Sequence, residues 1–264
     1  MSTVTKTNNI SIFQQLQRFI IRPFMNEEEK LELRHSSRKL RIFTRNNFLV
    51  IGLFLIWDIG FFFIQFVENP NNPRLVSFDP YLTVTLQAYS TPLLDTIASY
   101  LYMVGFMGVL TVLFLTFFGE EENAWKYLLA FHAWFVIATI VQFLYPVIVP
   151  IRIDPIPSGI RHIRAEVAPW TETLIGIKYA GIPSGHAAGA ILLWMTGRER
   201  KVEWVRRLGL VCMVVIPILT LYTGDHYIWD VVVSYILCPI IFLGTLRLIK
   251  RWEAKKVLAN TTTS

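Results

Sequence analysis

The feature that most constrains this chain is a series of apolar runs long enough to cross a bilayer. A membrane-spanning helix needs about 20 predominantly apolar residues. Such runs are read over 47–67, 93–118, 125–145, 205–222 and 226–249, with a shorter one over 184–197. In hydrocarbon every backbone N–H and C=O must find its partner within the protein, and a helix does this inside one segment. The expected fold class is therefore all-α: a polytopic membrane protein built as a six-transmembrane-helix bundle. The 53% hydrophobic and 17% charged content agrees, since soluble domains carry about 25% charge.

Three regions follow. Residues 1–46 form a basic tail. In it Ile10, Phe13, Leu16, Ile20 and Phe24 fall near one helix face. That face reads as an N-terminal interfacial helix lying on the membrane, or equally as a helix packed on the bundle. Residues 47–249 form the six-helix domain, with 81–89 as a short interfacial helix and 146–182 as a long loop. Residues 250–264 form a second tail. The first ~45 residues lack the apolar core of a cleavable signal, so the first span is expected to serve as its own insertion signal. Cys212 and Cys238 lie in apolar runs and read as buried, inert thiols.

Orientation follows from lysine and arginine placement. With the N-terminus inside, 20 of the 25 cations fall in tails and turns on the cytoplasmic side. The five left outside are Arg74, Arg152, Arg161, Arg164 and Lys178, and four of them share the long loop. Cations held outside against the rule suggest an anion to bind. The net charge of +6 does not point to nucleic acid, because basic residues flank the spans instead of forming one patch.

Two short segments are expected to meet that loop at the outer surface. Pro183-Ser184-Gly185-His186 enters the fourth span, and His226-Tyr227-Ile228-Trp229-Asp230 enters the sixth. Their histidines are 40 residues apart, which is the length of one span inward and one span back. Both should stand at the same depth on the outer side. As helical i and i+4 positions, His226 and Asp230 share a face, so the carboxylate can fix the ring's tautomer and leave the other nitrogen to attack phosphorus. Ser184 and Gly185 stand at a helix start, where free N–H groups bind anions. His186 can protonate a leaving oxygen. Arg152, Arg161, Arg164 and Lys178 are candidate phosphate ligands, and the sequence does not choose among the last three. Asp58 and His132 are ionisable groups inside spans, read as structural pairs or as functional residues. No carboxylate cluster offers a site for magnesium or zinc, so neither a metal nor a cofactor is expected.

These residues resemble the type 2 phosphatidic acid phosphatase superfamily, which also contains vanadium haloperoxidases. Its motifs are K-x6-R-P, P-S-G-H and S-R-x5-H-x3-D. Pro183 to His186 match the second, and His226 and Asp230 match the end of the third. The serine and arginine of the third fall on Leu219 and Thr220, so that arginine is missing. Arg152 is the best match to the arginine of the first. Tyr145-Pro146…Pro150-Ile151-Arg152 with Thr223-Gly224-Asp225-His226-Tyr227 is similar to the branch containing inositol phosphorylceramide synthases. The resemblance implies His226 as nucleophile, Asp230 as its partner and His186 as acid, with a phosphohistidine intermediate resolved by water or by an alcohol.

The expectation is a metal-independent lipid phosphate phosphatase, with transfer of a phosphorylated headgroup to a lipid alcohol as the alternative. A non-catalytic lipid-binding or lipid-flipping protein is the reading from another class. The substrate would be a phosphorylated membrane lipid. The membrane expected is the cell membrane, with both termini cytoplasmic and the site facing outside or a lumen.

Overall fold

The computed structural model describes Gly52 and residues 78–118, 123–170 and 181–262. The expected N-terminal interfacial helix, the expected first span apart from Gly52, and Lys178 lie outside the described residues.

Local sequence explains where the first helices start. Asp79 accepts the Tyr81 N–H at 3.0 Å ahead of α1 (Tyr81–Gln87). The Thr91 hydroxyl accepts the Leu94 N–H at 3.2 Å and Pro92 takes the first helical position, so a cap and a pre-set φ open α2 (Pro92–Tyr100). The chain passes through a π-helical segment, Leu101–Gly105, into α3 (Phe106–Phe118). Then come α4 (Ala124–Leu144), a 3-10 turn (Pro150–Arg152), α5 (Ile163–Val167), α6 (Gly185–Glu199), α7 (Glu203–Tyr222) and α8 (Ile228–Thr262). Every regular element among the described residues is helical.

Among the described residues four helices are long and apolar enough to cross a membrane: Pro92–Phe117, Ala124–Leu144, Glu203–Tyr222 and Ile228–Lys255. They match the expected second, third, fifth and sixth spans, and the described part of the chain is all-helical and of the multi-pass membrane type. The expected fourth span differs. α6 has 15 residues, about 22 Å at 1.5 Å per residue, which is short of a ~30 Å hydrocarbon core. It is the central helix, buried on all sides from Ala187 to Leu193. A helix that is apolar all round belongs inside a bundle, and length alone separates that case from a lipid-facing span. α8 continues unbroken past Ile249 to Thr262. Lys126 of α4 ties its extension down at Glu253, 2.7 Å away.

Small residues let the central helix seat closely. A Cβ on Gly209 would fall 2.4 Å from the Trp194 backbone, and one on Gly197 would fall 2.4 Å from the Arg206 backbone. α6 and α7 therefore touch main chain to main chain at both places. Between transmembrane helices, where lipid removes the hydrophobic drive, such close packing is a main source of association. Val109, Leu113, Trp134 and Phe242 bring α3, α4 and α8 onto the same core.

Candidate active site

The two histidines meet. The His186 and His226 rings stand edge to face with centroids 5.6 Å apart, close enough to flank one phosphate. They arrive by different local geometry than expected. His186 is the second residue of α6. His226 precedes α8, whose first residue is Ile228, so His226 and Asp230 are not partners on one helix face. Asp230, in the first turn, reaches back instead. Its Oδ2 lies 3.1 Å from His226 Nδ1 and accepts the Tyr227 N–H at 2.8 Å. One carboxylate thus holds the ring and satisfies a free donor of the helix start. A carboxylate only accepts, so Nδ1 carries the ring proton and Nε2 carries the lone pair.

Further bonds fasten the two motifs together. The Ser184 N–H donates to the Asp230 carbonyl at 3.1 Å. The Ser234 hydroxyl lies 2.9 Å from the Ser184 carbonyl and 2.8 Å from the Asp230 carbonyl. Gln142 donates to the Pro183 carbonyl at 3.2 Å. Ser184 itself caps α6, its hydroxyl accepting the Ala187 N–H at 3.3 Å. Both the amide and the hydroxyl of Ser184 are therefore engaged by the protein. Gly185 is exposed, and a Cβ placed on it would meet nothing within 4 Å. The helix start is open beside the histidines.

The π-helical segment supplies the wall of His186. Tyr102 stacks on the imidazole at 4.3 Å between centroids, and Phe106 lies against it at 4.1 Å. π-helical turns inside longer helices often mark functional positions; here the turn runs from Leu101 to Gly105, just ahead of Phe106.

The loop cations divide sharply. Arg164, on α5, is 1% exposed and lays Nε and Nη2 on the Asp225 carboxylate at 2.9 and 2.6 Å. Its guanidinium also stands 5.2 Å from the Tyr102 ring centre and acts electrostatically on His186. Arg161 is turned to another task. It binds Asp95 at 3.1 Å, Ser90 at 2.6 Å and Glu166, whose hydrogen bond holds the guanidinium above its ordinary pKa. Asp95 in turn accepts from the Tyr222 hydroxyl. This network pins the loop to α2 and α7. Arg152 ends the 3-10 turn and is half-buried. The Ile151 N–H beside it donates to the Gly224 carbonyl at 3.3 Å, which brings that turn against the segment leading into His226. Gly224 has φ +78°, and a Cβ there would fall 2.5 Å from Ile151, so glycine is required on both counts. Among the described residues no three of His, Cys, Asp and Glu gather as metal ligands.

A family model described as the PAP2 superfamily matches residues 72–244. This chain belongs to the PAP2 superfamily. The match spans both histidine segments and the long loop ahead of them. Members are typically phosphoesterases, and membership points to phosphatase or phosphotransferase activity on phosphorylated substrates. Neither the curated proteins nor the solved structures compared gave a match.

Four residues around this candidate site were not singled out from sequence. Tyr102 and Phe106 carry no signal there, since aromatic residues are ordinary in spans. Asp225 adjoins His226 in the sequence, where nothing about its position gives it a task. Asp95 falls in an apolar run, where a carboxylate merits attention by default.

Proposed function

We propose that this protein cleaves the phosphate ester of a membrane lipid by in-line phosphoryl transfer through His226. The observation that carries the reading is the pairing of an Asp230-held imidazole with a second histidine ring 5.6 Å away. His226 Nε2 attacks phosphorus, forming an N–P bond as the P–O bond to the lipid breaks. His186 gives a proton to the leaving oxygen. Water then attacks the phosphohistidine, His186 takes back the proton, and inorganic phosphate leaves. The N–H groups at Gly185 and the start of α6, with Arg152 and Arg164, carry the charge of the phosphoryl group. Arg161 serves the loop network first, and Lys178 remains a candidate ligand. The lipid tail stays in the bilayer, which suits a site at the ends of apolar helices. The site faces outside or a lumen, because 20 of the 25 cations fall on the opposite side, and the membrane is the cell membrane with both termini cytoplasmic.

A second reading replaces water with a lipid hydroxyl, so that a phosphodiester forms. It is favoured by Thr220, a buried residue bonded to the Pro217 carbonyl at 2.8 Å, standing where the hydrolases' third motif has arginine.

The test is purified protein in detergent with a panel of lipid phosphates and phosphodiesters, with and without lipid alcohols. Free phosphate is measured beside new lipid products. Hydrolysis predicts phosphate without an acceptor; products that form only with an acceptor favour transfer. Activity should survive excess chelator. Loss of His226 with function intact would leave a lipid-binding or lipid-flipping protein.

A further inference from the structure

Thr220 leaves the site short of one arginine, six residues ahead of His226. The residue immediately before His226 offers an explanation of how the site manages without it. Asp225 is 7% exposed and engages Arg164 in a two-pronged ion pair. A paired fork of this kind fixes the guanidinium in orientation as well as in place. The pair is not a surface bridge. Arg164 is enclosed, with the Tyr102 ring against it, and Tyr102 stacks on His186. Arg164 reaches this position from the loop, on a helix of five residues that carries little stability of its own. What fixes it is contact: Ile163 packs with Ala98 and Tyr222, and Asp225 holds the charge. The Asp225 N–H donates to the Thr220 carbonyl at 3.0 Å, so the Asp225 backbone is tied to that of the residue standing in the missing arginine's place.

We propose that Asp225 is a positioning residue that seats Arg164 beside the two histidines, so that a loop arginine does the work of the one absent at Thr220. This rests on the phosphoryl-transfer reading above. Asp225 does not touch the phosphoryl group. It acts through Arg164, which meets the equatorial oxygens as charge develops on them.

The experiment uses the full chain in detergent and a double-mutant cycle of Asp225→Ala and Arg164→Ala. Turnover of a lipid phosphate and inhibition by vanadate are both measured, with size-exclusion profiles to confirm folding. Asp225→Ala should lower kcat about 100-fold, the cost of misplacing a group by about an ångström. KM for the lipid should change far less, because the tail binds elsewhere. The inhibition constant for vanadate should rise. The double variant should be no worse than Arg164→Ala alone, because coupled residues are not additive. Asp225→Asn, which keeps the shape and one acceptor oxygen, should fall between Asp225→Ala and the native chain, and it is read in the same way if Asp225→Ala does not fold. Additive losses, or an unchanged vanadate constant in a folded Asp225 variant, would overturn the proposal. An inactive native chain, or full activity in His226→Ala, would instead overturn the underlying reading.

Discussion

The Ser184 N–H donates to the Asp230 carbonyl at 3.1 Å, joining the starts of α6 and α8 through their backbones. Two segments far apart in sequence are thereby held as one frame. Ser234 bridges the same two carbonyl groups, so the separation of the histidines depends on helix-to-helix bonds and not on a loop. Pre-set geometry of this kind is what phosphoryl transfer requires of a protein.

Asp230→Asn tests the orientation of His226. The amide can place an N–H where Oδ2 accepts two bonds, which favours the wrong ring tautomer. A comparable change in a serine-protease triad costs about 10⁴ in kcat. The expected result here is a loss of roughly a thousandfold or more in kcat, with lipid binding retained, measured by steady-state turnover and by sedimentation with labelled lipid.

Gly185→Ala separates function from fold. A methyl group there meets no neighbour within 4 Å, so thermal stability should stay within about 0.5 kcal/mol of native. The same methyl intrudes into the open space beside the helix start, and phosphate release should fall. Unchanged activity would mean that the phosphoryl group does not approach this backbone.

Gly224→Ala should harm both. A side chain at φ +78° costs about 1–2 kcal/mol, and the new methyl pushes Ile151 away. Arg152 moves with it. A lowered melting temperature with a disproportionate fall in turnover is expected, read by scanning calorimetry and activity on one preparation.

Gly209→Leu tests the helix packing. The Trp194 backbone stands where the new side chain begins, and neither helix can yield without moving the other. Overpacking costs about 1–3 kcal/mol or more, so α6 and α7 should part and the protein should lose monodispersity in detergent.

Much of the fold was legible because apolar length is a direct physical signal. The four long spans stand where that signal put them, and Tyr81–Gln87 is the short helix expected ahead of the second span. α6 differs because a buried helix and a lipid-facing span share composition; its 15-residue length and its burial set it apart. The histidine pair was legible from spacing, since two successive helices, α6 and α7, return the chain to one end of the bundle. The i,i+4 relation of His226 and Asp230 was legible as a contact but not as a geometry, because the helix starts after His226. The arginines were not legible. Arg161 and Arg164 are three residues apart in one loop, and only the placement of Asp95 and Asp225 sends one to a surface network and the other beside His186.

The central claim is a covalent bond to His226, and trapping it tests the claim most directly. The purified chain is mixed with a lipid phosphate labelled on phosphorus, quenched in alkali during turnover, digested and mapped by mass spectrometry. The account predicts label on His226 that is absent from His226→Ala and that accumulates when His186 is replaced and breakdown slows. Steady turnover with no label on His226, or label that persists on another residue in His226→Ala, would contradict it.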